Sequence, residues 1–304
     1  MPGTPEGAAL TAAAREEGTF GWGMIAPTFL LVFVLLVLPL AFSLYVSFHR
    51  WDLTVVPNVL SWIGGRNYES VLANPETWRT LRFTLIYTFA CVVGELILGL
   101  GLALLLDRVT RGRGVFVALL VLPMMMAPIV TGLVWRLMLN AEYGPVNQLF
   151  GIGGTLWLGD IFLSKVSVIA ATIWQETPFM MVLILARLRS LPREPFEAAK
   201  IDGANTLQMF WFVTLPMLRS VLLIAVLIRV IFEFRAFDLI WILTNGGPAA
   251  ATETLSLMNF RMTFQHFSVG PGAALSWLML ALTSLAVFWY MLALRRSRIE
   301  QGAS

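Results

Sequence analysis

The sequence predicts an all-α membrane protein with six transmembrane helices and with both its N and C termini in the cytoplasm. Of the 304 residues, 58% are hydrophobic and 13% are charged, whereas soluble domains have roughly 45–50% apolar and about 25% charged residues. Six apolar runs approach or exceed the length of about 20 residues that a helix needs to cross a bilayer. Arg and Lys are also distributed unevenly between the segments that connect these runs, which predicts the orientation.

Each of the six runs is predicted to form one membrane-spanning helix. The first has no charged residue and is longer than the roughly 7–15 residues of a signal-peptide core, so we expect it to remain as an anchor. The third contains Pro123 and Pro128, which membrane helices tolerate when neighbouring groups satisfy the freed carbonyls. The fourth is the weakest because Gln175, Glu176 and Pro178 interrupt it. The predicted spans are Met24–Phe48, Phe83–Leu106, Gly114–Met138, Val166–Ala186, Ser220–Leu243 and Gly270–Leu294.

The connecting segments predict which side of the membrane each loop occupies. The termini and the loops on the same side as the termini carry twelve Arg and Lys residues, and the opposite loops carry six. Because cytoplasmic loops have the excess of positive charge, the first set is expected inside the cell. The prediction is therefore a multi-pass protein of the inner (plasma) membrane. Residues 1–22, rich in Ala, Gly, Glu and Pro, are predicted to form a disordered cytoplasmic tail before a membrane domain over residues 23–304.

Several classes of function are disfavoured by the residue content. Cys91 is the single cysteine, so no internal disulfide is expected. His49 and His266 stand alone and the net charge of +3 is spread along the chain, so we expect neither a metal site nor nucleic-acid binding. Because we find no G-x-x-x-x-G-K-[ST] segment and no Ser-His-Asp or paired-carboxylate arrangement, we predict that the chain is not an enzyme and holds no cofactor itself.

A polar segment, EAAKIDGANTLQMFWFVTLPML (Glu197–Leu218), lies between the fourth and fifth runs. Pro195 suits the first turn of a helix, and Gly203 suits the left-handed position that ends one. Asn205 can cap a second helix, which Leu215–Pro216 either ends or feeds into the fifth span. The pattern predicts two short helices joined by a glycine bend on the cytoplasmic membrane surface.

Two interpretations of this helix pair are open from the residues alone. It could be an interfacial elbow that places the fifth span, or it could be a docking surface for another protein. In the second case Glu197 and Asp202 offer charges to the partner. The small side chains that would allow a close approach belong to Ala198, Ala199, Gly203 and Ala204.

The same segment resembles the EAA motif of ABC importer permeases. In that motif EAA is followed after three residues by Gly, and after nine more by an aliphatic residue, one further residue and Leu-Pro. Here Glu197–Ala199, Gly203, Val213 and Leu215–Pro216 match every spacing, although Val stands where Ile is common. The stretches TPFMMVLILARLRSLPREPFEAAKIDGA, FDLIWILTNGGPAAATETLSL and MMMAPIVTGLVWRLML resemble the carbohydrate-uptake branch, the MalF-, UgpA- and LacF-like inner-membrane components of binding-protein-dependent transport. The similarity extends over most of the chain from the first span onward.

The resemblance implies a type I ABC importer transmembrane fold, with a transmembrane core at about 80–294 and coupling helices at about 193–216. It implies that the segment Glu197–Leu218, hereafter the EAA segment, sits in a cleft of a cytoplasmic ATPase. The EAA segment would then transmit the ATP-driven closure of the ATPase to the spans. The implied docking residues are Glu197, Ala198, Ala199, Asp202, Gly203, Ala204, Leu215 and Pro216.

The resemblance also implies partners and a cargo. The partners would be a second six-span permease subunit, two ATPase subunits that bind the ATP and Mg, and an extracytoplasmic solute-binding protein. The solute would be a carbohydrate, or a related polyol or glycerol phosphate, moved by alternating access.

Charged residues inside the predicted spans form a second group of candidates, because a charge at the bilayer centre costs about 2.5–3.5 kcal/mol and is rarely left facing lipid. Arg229 and Glu233 are four residues apart and share a helix face, whereas Arg235 and Asp238 are expected on another. They could be internal ion pairs, or they could line a water-filled route for the solute. Glu95 is expected to make an internal structural contact. The candidates for the translocation pathway are Trp174, Gln175, Glu176, Arg229, Glu233, Arg235, Asp238 and, in the loop after the fifth span, Asn245.

An ion-coupled secondary transporter is the alternative function, since intramembrane charges and interrupted helices also fit such a protein. An internal repeat would be expected in that case, and we find none. A membrane enzyme is disfavoured by the lack of a catalytic set. The EAA segment discriminates between these hypotheses, because only the ABC importer needs an ATPase-docking surface there.

Overall fold

The computed structural model describes residues 24–54 and 60–302, with side chains up to Leu292. The predicted tail over residues 1–22 lies outside the described residues. The described chain forms two compact units. The first contains the described residues up to Val71 together with Met262–Trp277, and the second contains Leu72–Arg261 and the chain from Leu278 onward.

The first unit contains helix α1 (Met24–Ser47), which includes a π-helical stretch at Phe33–Val37. Two short antiparallel strands follow, β1 (His49–Arg50) and β2 (Ser61–Trp62), with His49 opposite Trp62. Helix α2 (Arg66–Ala73) comes next. The buried Asn67 amide on α2 donates hydrogen bonds to the carbonyls of Ser47 and His49, each at 2.8 Å, and so joins α2 to the end of α1.

The second unit is built almost entirely from helices. The two longest, α3 and α7, begin with side-chain caps: Asn74 accepts from the Glu76 N–H, and Asp160 accepts from the N–H groups of Phe162 and Leu163. The helices are α3 (Pro75–Arg108), α4 (Arg113–Met125), α5 (Pro128–Met138), α6 (Pro145–Phe150), α7 (Ile161–Arg189), α8 (Glu194–Ile201), α9 (Thr206–Phe234), α10 (Asp238–Leu243), α11 (Leu255–Phe260) and α12 (Val269–Gly302), the last of which begins in the first unit.

Five helices of the described chain are long and apolar enough to cross a membrane, and a bent pair brings the possible number to six. The bent pair is α4 and α5, which meet at an angle of 94°. The sequence predicted an uninterrupted third run here, and the structure corrects this. The break falls at Met126 and Ala127, which both have extended backbone. The residue directly before a proline avoids the helical conformation, which explains the backbone of Ala127 before Pro128.

The fourth and fifth runs also differ from the prediction. The fourth is not broken: α7 continues through Pro178, which is buried with its neighbour Thr177. The fifth ends at Phe234, and a separate helix begins at Asp238. The carbonyl of Ala236 in this gap accepts a hydrogen bond from the Thr254 hydroxyl at 3.0 Å. The helix can therefore end here without leaving this backbone carbonyl unsatisfied.

The core of the second unit lies along the contact between α3 and α7. One apolar cluster surrounds Tyr87 and Ala171, and a second surrounds Ala103 and Met180. The two helices approach so closely at Gly99 that an added Cβ would lie 2.6 Å from Met180 Cβ. Glycine is therefore required at this position because no larger side chain fits between the helices, and not because of its backbone conformation.

Replacing Gly99 with alanine is expected to destabilise the protein by about 1–3 kcal/mol, since the new methyl group overpacks the interface between α3 and α7. Gly101 on the same helix is the matched control, because its Cβ would meet nothing within 4 Å. Gly101→Ala should be neutral or stabilising by up to about 1 kcal/mol through helix propensity. Thermal unfolding in mild detergent compares the two variants, and equal midpoints would contradict this packing argument.

Candidate functional site

Four charged side chains from three helices meet in the interior of the second unit, and we call them the arginine network. Arg229 on α9 binds Glu95 on α3 through two hydrogen bonds, Nε to Oε2 at 2.7 Å and Nη2 to Oε1 at 3.1 Å. Its Nη1 donates to Glu176 Oε2 on α7 at 2.9 Å. Its Nη2 also contacts Glu233 one turn further along α9. One guanidinium thus joins three helices that are far apart in the sequence.

The arginine network is deeply buried. Arg229, Glu95 and Glu233 are 5%, 0% and 4% exposed, and only the Glu176 side chain is partly open, at 25%. The Phe179 ring lies 5.8 Å from Arg229 Cζ, within the range of a cation–π contact. Charges in such a place are tolerated only when they are paired and hydrogen-bonded. A single arginine faces three carboxyl groups, and the second oxygen of Glu233 accepts no hydrogen bond from the described residues.

The arginine network lies where the two apolar clusters of the core meet. On α3, Cys91 of the first cluster and Val92 of the second both precede Glu95, and Ala103 of the second follows it. On α7, Glu176 lies between Ala171 and Met180, which belong to the first and second clusters respectively. The buried charges are therefore surrounded by apolar packing on both sides along α7.

A cavity of about 320 Å³ opens beside the arginine network, and we call it the network cavity. Arg235 and Asp238 line it from the two ends of the gap between α9 and α10. They form no ion pair with each other in the described part of the chain. Of the two ion pairs considered from the sequence, only Arg229–Glu233 is therefore formed. The lining residues are Tyr87, Pro128, Thr172, Gln175, Glu176, Arg229, Ile231, Phe232, Glu233, Arg235, Ala236, Phe237, Asp238 and Leu239.

Gln175 and Trp174 differ in what they face. Gln175 is buried in the wall of the network cavity, and its amide donates to the Met126 carbonyl at 3.0 Å. It thereby satisfies a backbone group at the break between α4 and α5. Trp174 is 41% exposed, packs edge-on against Trp135 at 6.0 Å, and lines a separate apolar cavity of about 520 Å³.

Asn245 does not line the network cavity but lies in the loop between α10 and α11. Its backbone is left-handed, with φ of 50°. Arg261 Nη2 donates to the Asn245 carbonyl at 2.5 Å, and Arg261 Nη1 pairs with Glu253 at 2.9 Å. Burial raises the pKa of Glu253, and the positive charge of Arg261 opposes that increase. These contacts fix the loop from within.

The EAA segment forms the predicted helix–bend–helix. Helix α8 ends in a Schellman motif, in which the Ala204 N–H bonds the Ala199 carbonyl at 2.9 Å and the Gly203 N–H bonds the Lys200 carbonyl at 3.1 Å. Gly203 has φ of +77°, as expected for the C′ position. Asn205 then forms a capping box with Gln208, which begins α9.

Beyond the bend, α9 runs without a stop into the membrane-spanning part of the helix. A π-helical turn at Phe210–Thr214 lies just before Pro216. Leu215 and Pro216 therefore feed the second helix into the span rather than ending it, which resolves the two possibilities that the sequence left open.

Five of the eight candidate docking residues of the EAA segment are exposed. Glu197, Ala198, Asp202 and Gly203 are exposed, and no atom lies within 4 Å of a Cβ added at Gly203. Large apolar side chains are exposed alongside them, including Ile201 at 87% and Phe212 at 79%. Ala199, Ala204 and Leu215 are half-buried, and Pro216 is exposed.

Two polar residues that line the network cavity, Tyr87 and Thr172, were missed from the sequence. The Tyr87 hydroxyl, on α3, exchanges a hydrogen bond with the Thr172 hydroxyl, on α7, at 2.9 Å. Tyr87, Cys91 and Glu95 are spaced four apart, so they share one face of α3. That spacing was the available signal for Tyr87, whereas nothing in the sequence singled out Thr172.

The apolar spans, the buried charges beside a cavity and the exposed helix pair define a multi-pass membrane protein of the transporter class. Residues 95–299 match the family described as binding-protein-dependent transport system inner membrane component. The chain belongs to this family, and it is accordingly an integral inner-membrane component of a transport system. This membership supports a permease and does not support the ion-coupled alternative.

Similar proteins agree with this assignment. The trehalose/maltose transport system permease protein MalF of Thermococcus litoralis is 37% identical over 86% of this chain and 88% of its own length. The sulfoquinovosyl glycerol transport system permease protein SmoG of Agrobacterium fabrum is 31% identical over 90% of this chain and 89% of its own. The resemblance to ABC importer permeases is thus confirmed.

A solved structure shares the fold. The bacterial alginate ABC transporter, crystallised in complex with an alginate pentasaccharide-bound periplasmic protein, aligns with a TM-score of 0.80. The alignment covers 92% of this chain and 96% of that chain, at 19% identity. The expected ABC importer permease fold is therefore present.

Replacing Arg229 with methionine is expected to lower the free energy of unfolding by about 3–5 kcal/mol, because buried carboxylates lose their cation. Neutralising the two most buried partners in the same chain (Glu95→Gln and Glu233→Gln) should restore part of the loss. The exposed Arg111, between α3 and α4, is a control, and Arg111→Met should change stability by no more than about 0.5 kcal/mol. The thermal midpoint of the purified protein measures each variant; no difference between the two single arginine variants would show that the network is not stabilising.

Proposed function

We propose that this chain is a permease subunit of an ATP-driven ABC importer and forms half of its translocation pathway. The observation that carries the proposal is the exposed EAA segment. A Schellman motif and a capping box fix its bend, and its second helix is continuous with the helix that bears Arg229. The chain itself is not an enzyme and takes its energy from a separate ATPase.

The proposed coupling follows from how the EAA segment is connected. Two caps fix the bend between α8 and α9, so the pair moves as one body with the start of α9. From Thr206 to Arg229 the helix extends about 35 Å at about 1.5 Å per residue. A displacement of the docking surface would thereby move the arginine network and the gap between α9 and α10.

The proposed orientation places this surface in the cytoplasm. With α4 and α5 counted as one bent span, the described chain has six spans, an even number that would place both termini on the same side. The side with the EAA segment has the excess of Arg and Lys, as the positive-inside rule requires.

The proposed partners are two ATPase subunits, which bind ATP and Mg, a second six-span permease and an extracytoplasmic solute-binding protein. The exposed apolar side chains beside Gly203 suit a protein surface, since large apolar patches mark interaction sites. The similar alginate transporter was crystallised with its periplasmic protein, which supports the last of these partners.

The proposed solute is a carbohydrate or a related polyol or glycerol phosphate. The names of the similar permeases, for trehalose/maltose and sulfoquinovosyl glycerol, support this class. The network cavity offers suitable groups that can accept hydrogen bonds from solute hydroxyls. They are the open side of Glu176, the Asp238 carboxylate and the Glu233 oxygen that accepts no hydrogen bond from the described residues.

The proposed mechanism is alternating access. ATP-bound closure of the ATPases draws the two EAA segments of the permease pair together and opens the cavity outward, where the binding protein releases solute. This requires the ATP-bound ATPase dimer to bind the outward-open state more tightly than the inward-open state. Hydrolysis then removes that preference and returns the cavity to the cytoplasm.

Replacing Gly203 with aspartate is expected to abolish association with the ATPase in a pull-down while the membrane fold persists. The change places a charge on the docking bend and a Cβ at φ of +77°. Gly112→Asp is the matched control, because Gly112 also has a left-handed backbone, at φ of +73°, and open space around its Cβ. Normal ATPase recovery with Gly203→Asp, or equal loss in both variants, would count against the docking surface.

Replacing Glu176 with glutamine is expected to lower solute uptake about tenfold at unchanged complex yield. The change keeps the size of the side chain but weakens a charge-assisted hydrogen bond worth roughly 1.5 kcal/mol. Glu142→Gln, at an exposed position in the segment between α5 and α6, is the control. Uptake into proteoliposomes and the yield of purified complex are compared, and a parallel fall in both would indicate a structural role only.

A further inference from the structure

A third cavity, of about 1030 Å³, lies at the end of the second unit that bears the EAA segment, and we call it the basic cavity. It is open to the surface and is lined by the C-terminal ends of α3 and α7, the start of α4, helix α8 and the first turns of α9. Its lining residues are Leu104, Asp107, Arg108, Arg113, Leu188, Arg189, Leu191, Pro192, Arg193, Phe196, Glu197, Lys200, Thr206, Leu207, Met209, Phe210 and Thr214.

The charge of the basic cavity is strongly positive. Five of its lining residues are Arg or Lys, and two are Asp or Glu. Within the described chain none of the five forms an ion pair. Arg113 is occupied, since it donates to the carbonyls of Leu106 at 2.8 Å and Asp107 at 3.1 Å. The other four cations converge on the cavity without a carboxylate partner among the described residues.

Helix capping explains some of these cations but not all of them. Arg108 and Arg189 are in the last turns of α3 and α7, where a positive charge is favoured by the helix dipole, and Lys200 is similarly placed on α8. Arg193 occupies the N-cap of α8, where the dipole disfavours a cation, and Glu194 and Glu197 in the first turn offset this cost. An anion held in the cavity would offset it further.

The rest of the lining indicates what kind of anion fits. Leu188, Leu191 and Phe196 line the cavity together with the basic side chains, and several more apolar residues complete the wall. A free inorganic anion gains nothing from such a surface, whereas the headgroup and upper acyl chain of a phospholipid match both parts of it. Basic pockets between membrane helices on the cytoplasmic side are suited to anionic headgroups.

We propose that the basic cavity binds the anionic headgroup of a membrane phospholipid, with Arg108, Arg189 and Arg193 contacting the phosphate and the apolar wall contacting the acyl chain. The proposal rests on the cytoplasmic orientation of the EAA segment given above. Because α8 forms one wall, a bound lipid would brace the helix that docks the ATPase. The importer would then depend on anionic lipid for efficient coupling.

The test uses the purified complex in lipid nanodiscs that contain both phosphatidylglycerol and phosphatidylcholine. Native mass spectrometry detects the lipid that remains bound after release from the disc. The variant is Arg189→Gln with Arg193→Gln, and the matched control is Arg187→Gln with Arg219→Gln. Arg187 and Arg219 belong to the same end of the molecule but do not line the basic cavity.

We expect the wild type and the control to retain phosphatidylglycerol in preference to phosphatidylcholine. The cavity variant should bind it about 25-fold more weakly, since each cation near a headgroup contributes roughly a factor of five. Excess inorganic phosphate should leave the bound lipid in place. If phosphate displaced the lipid, the cavity would be a site for a free anion and the lipid proposal would be wrong. Equal retention by variant and control, or no preference between the two lipids, would overturn the proposal.

Subunit composition is read from the same spectra, which separates this proposal from the one on which it rests. The cavity variant could instead lose the ATPase subunits while it retains the lipid. That outcome would mean that the basic cavity belongs to the docking surface, and it would contradict the lipid proposal. Absence of ATPase from the wild-type complex would instead refute the importer function itself. Loss of lipid with the ATPase retained is the expected outcome.

Discussion

The position of Arg229 between three carboxyl groups is the constraint on which the second unit depends. A charge cannot be left unpaired in a membrane interior, so the arginine must meet its partners on α3, α7 and its own helix. A bidentate pair with Glu95 also requires a particular orientation of the two planar groups. The apolar contacts between these helices are non-directional, whereas the arginine network specifies their rotation and their relative height.

The buried charges of α3, α7 and α9 meet at one place, and irregular backbone is found beside it. Gln175, next to Glu176, bonds the carbonyl of Met126 where α4 and α5 separate. The gap between α9 and α10 follows Glu233 directly, and Thr254 bonds the Ala236 carbonyl there. Irregular backbone at membrane depth needs protein groups or water to satisfy it. The same region thus contains the network cavity, the charges that line it and the breaks between α4 and α5 and between α9 and α10.

The sequence was sufficient for features with a local cause. The ends of the EAA helices follow from Gly203 and Asn205, and the Arg229–Glu233 contact follows from four-residue spacing. Glu95 could be assigned to the interior, but its partner is 134 residues away and no local pattern identifies it. The third and fifth runs were predicted without breaks, because hydropathy measures the length of an apolar stretch and not its direction. The polar side chains that stabilise the breaks come from distant helices.

The π-helical turn at Phe210–Thr214 has a mechanical consequence for α9. It lies immediately before Pro216, whose missing N–H leaves one hydrogen bond of the helical ladder unmade. The wider turn accommodates the proline without ending the helix, so one continuous helix joins the EAA segment to Arg229 although a ladder hydrogen bond is missing between them. In the coupling proposed above, any movement of the EAA segment would reach the arginine network through this turn.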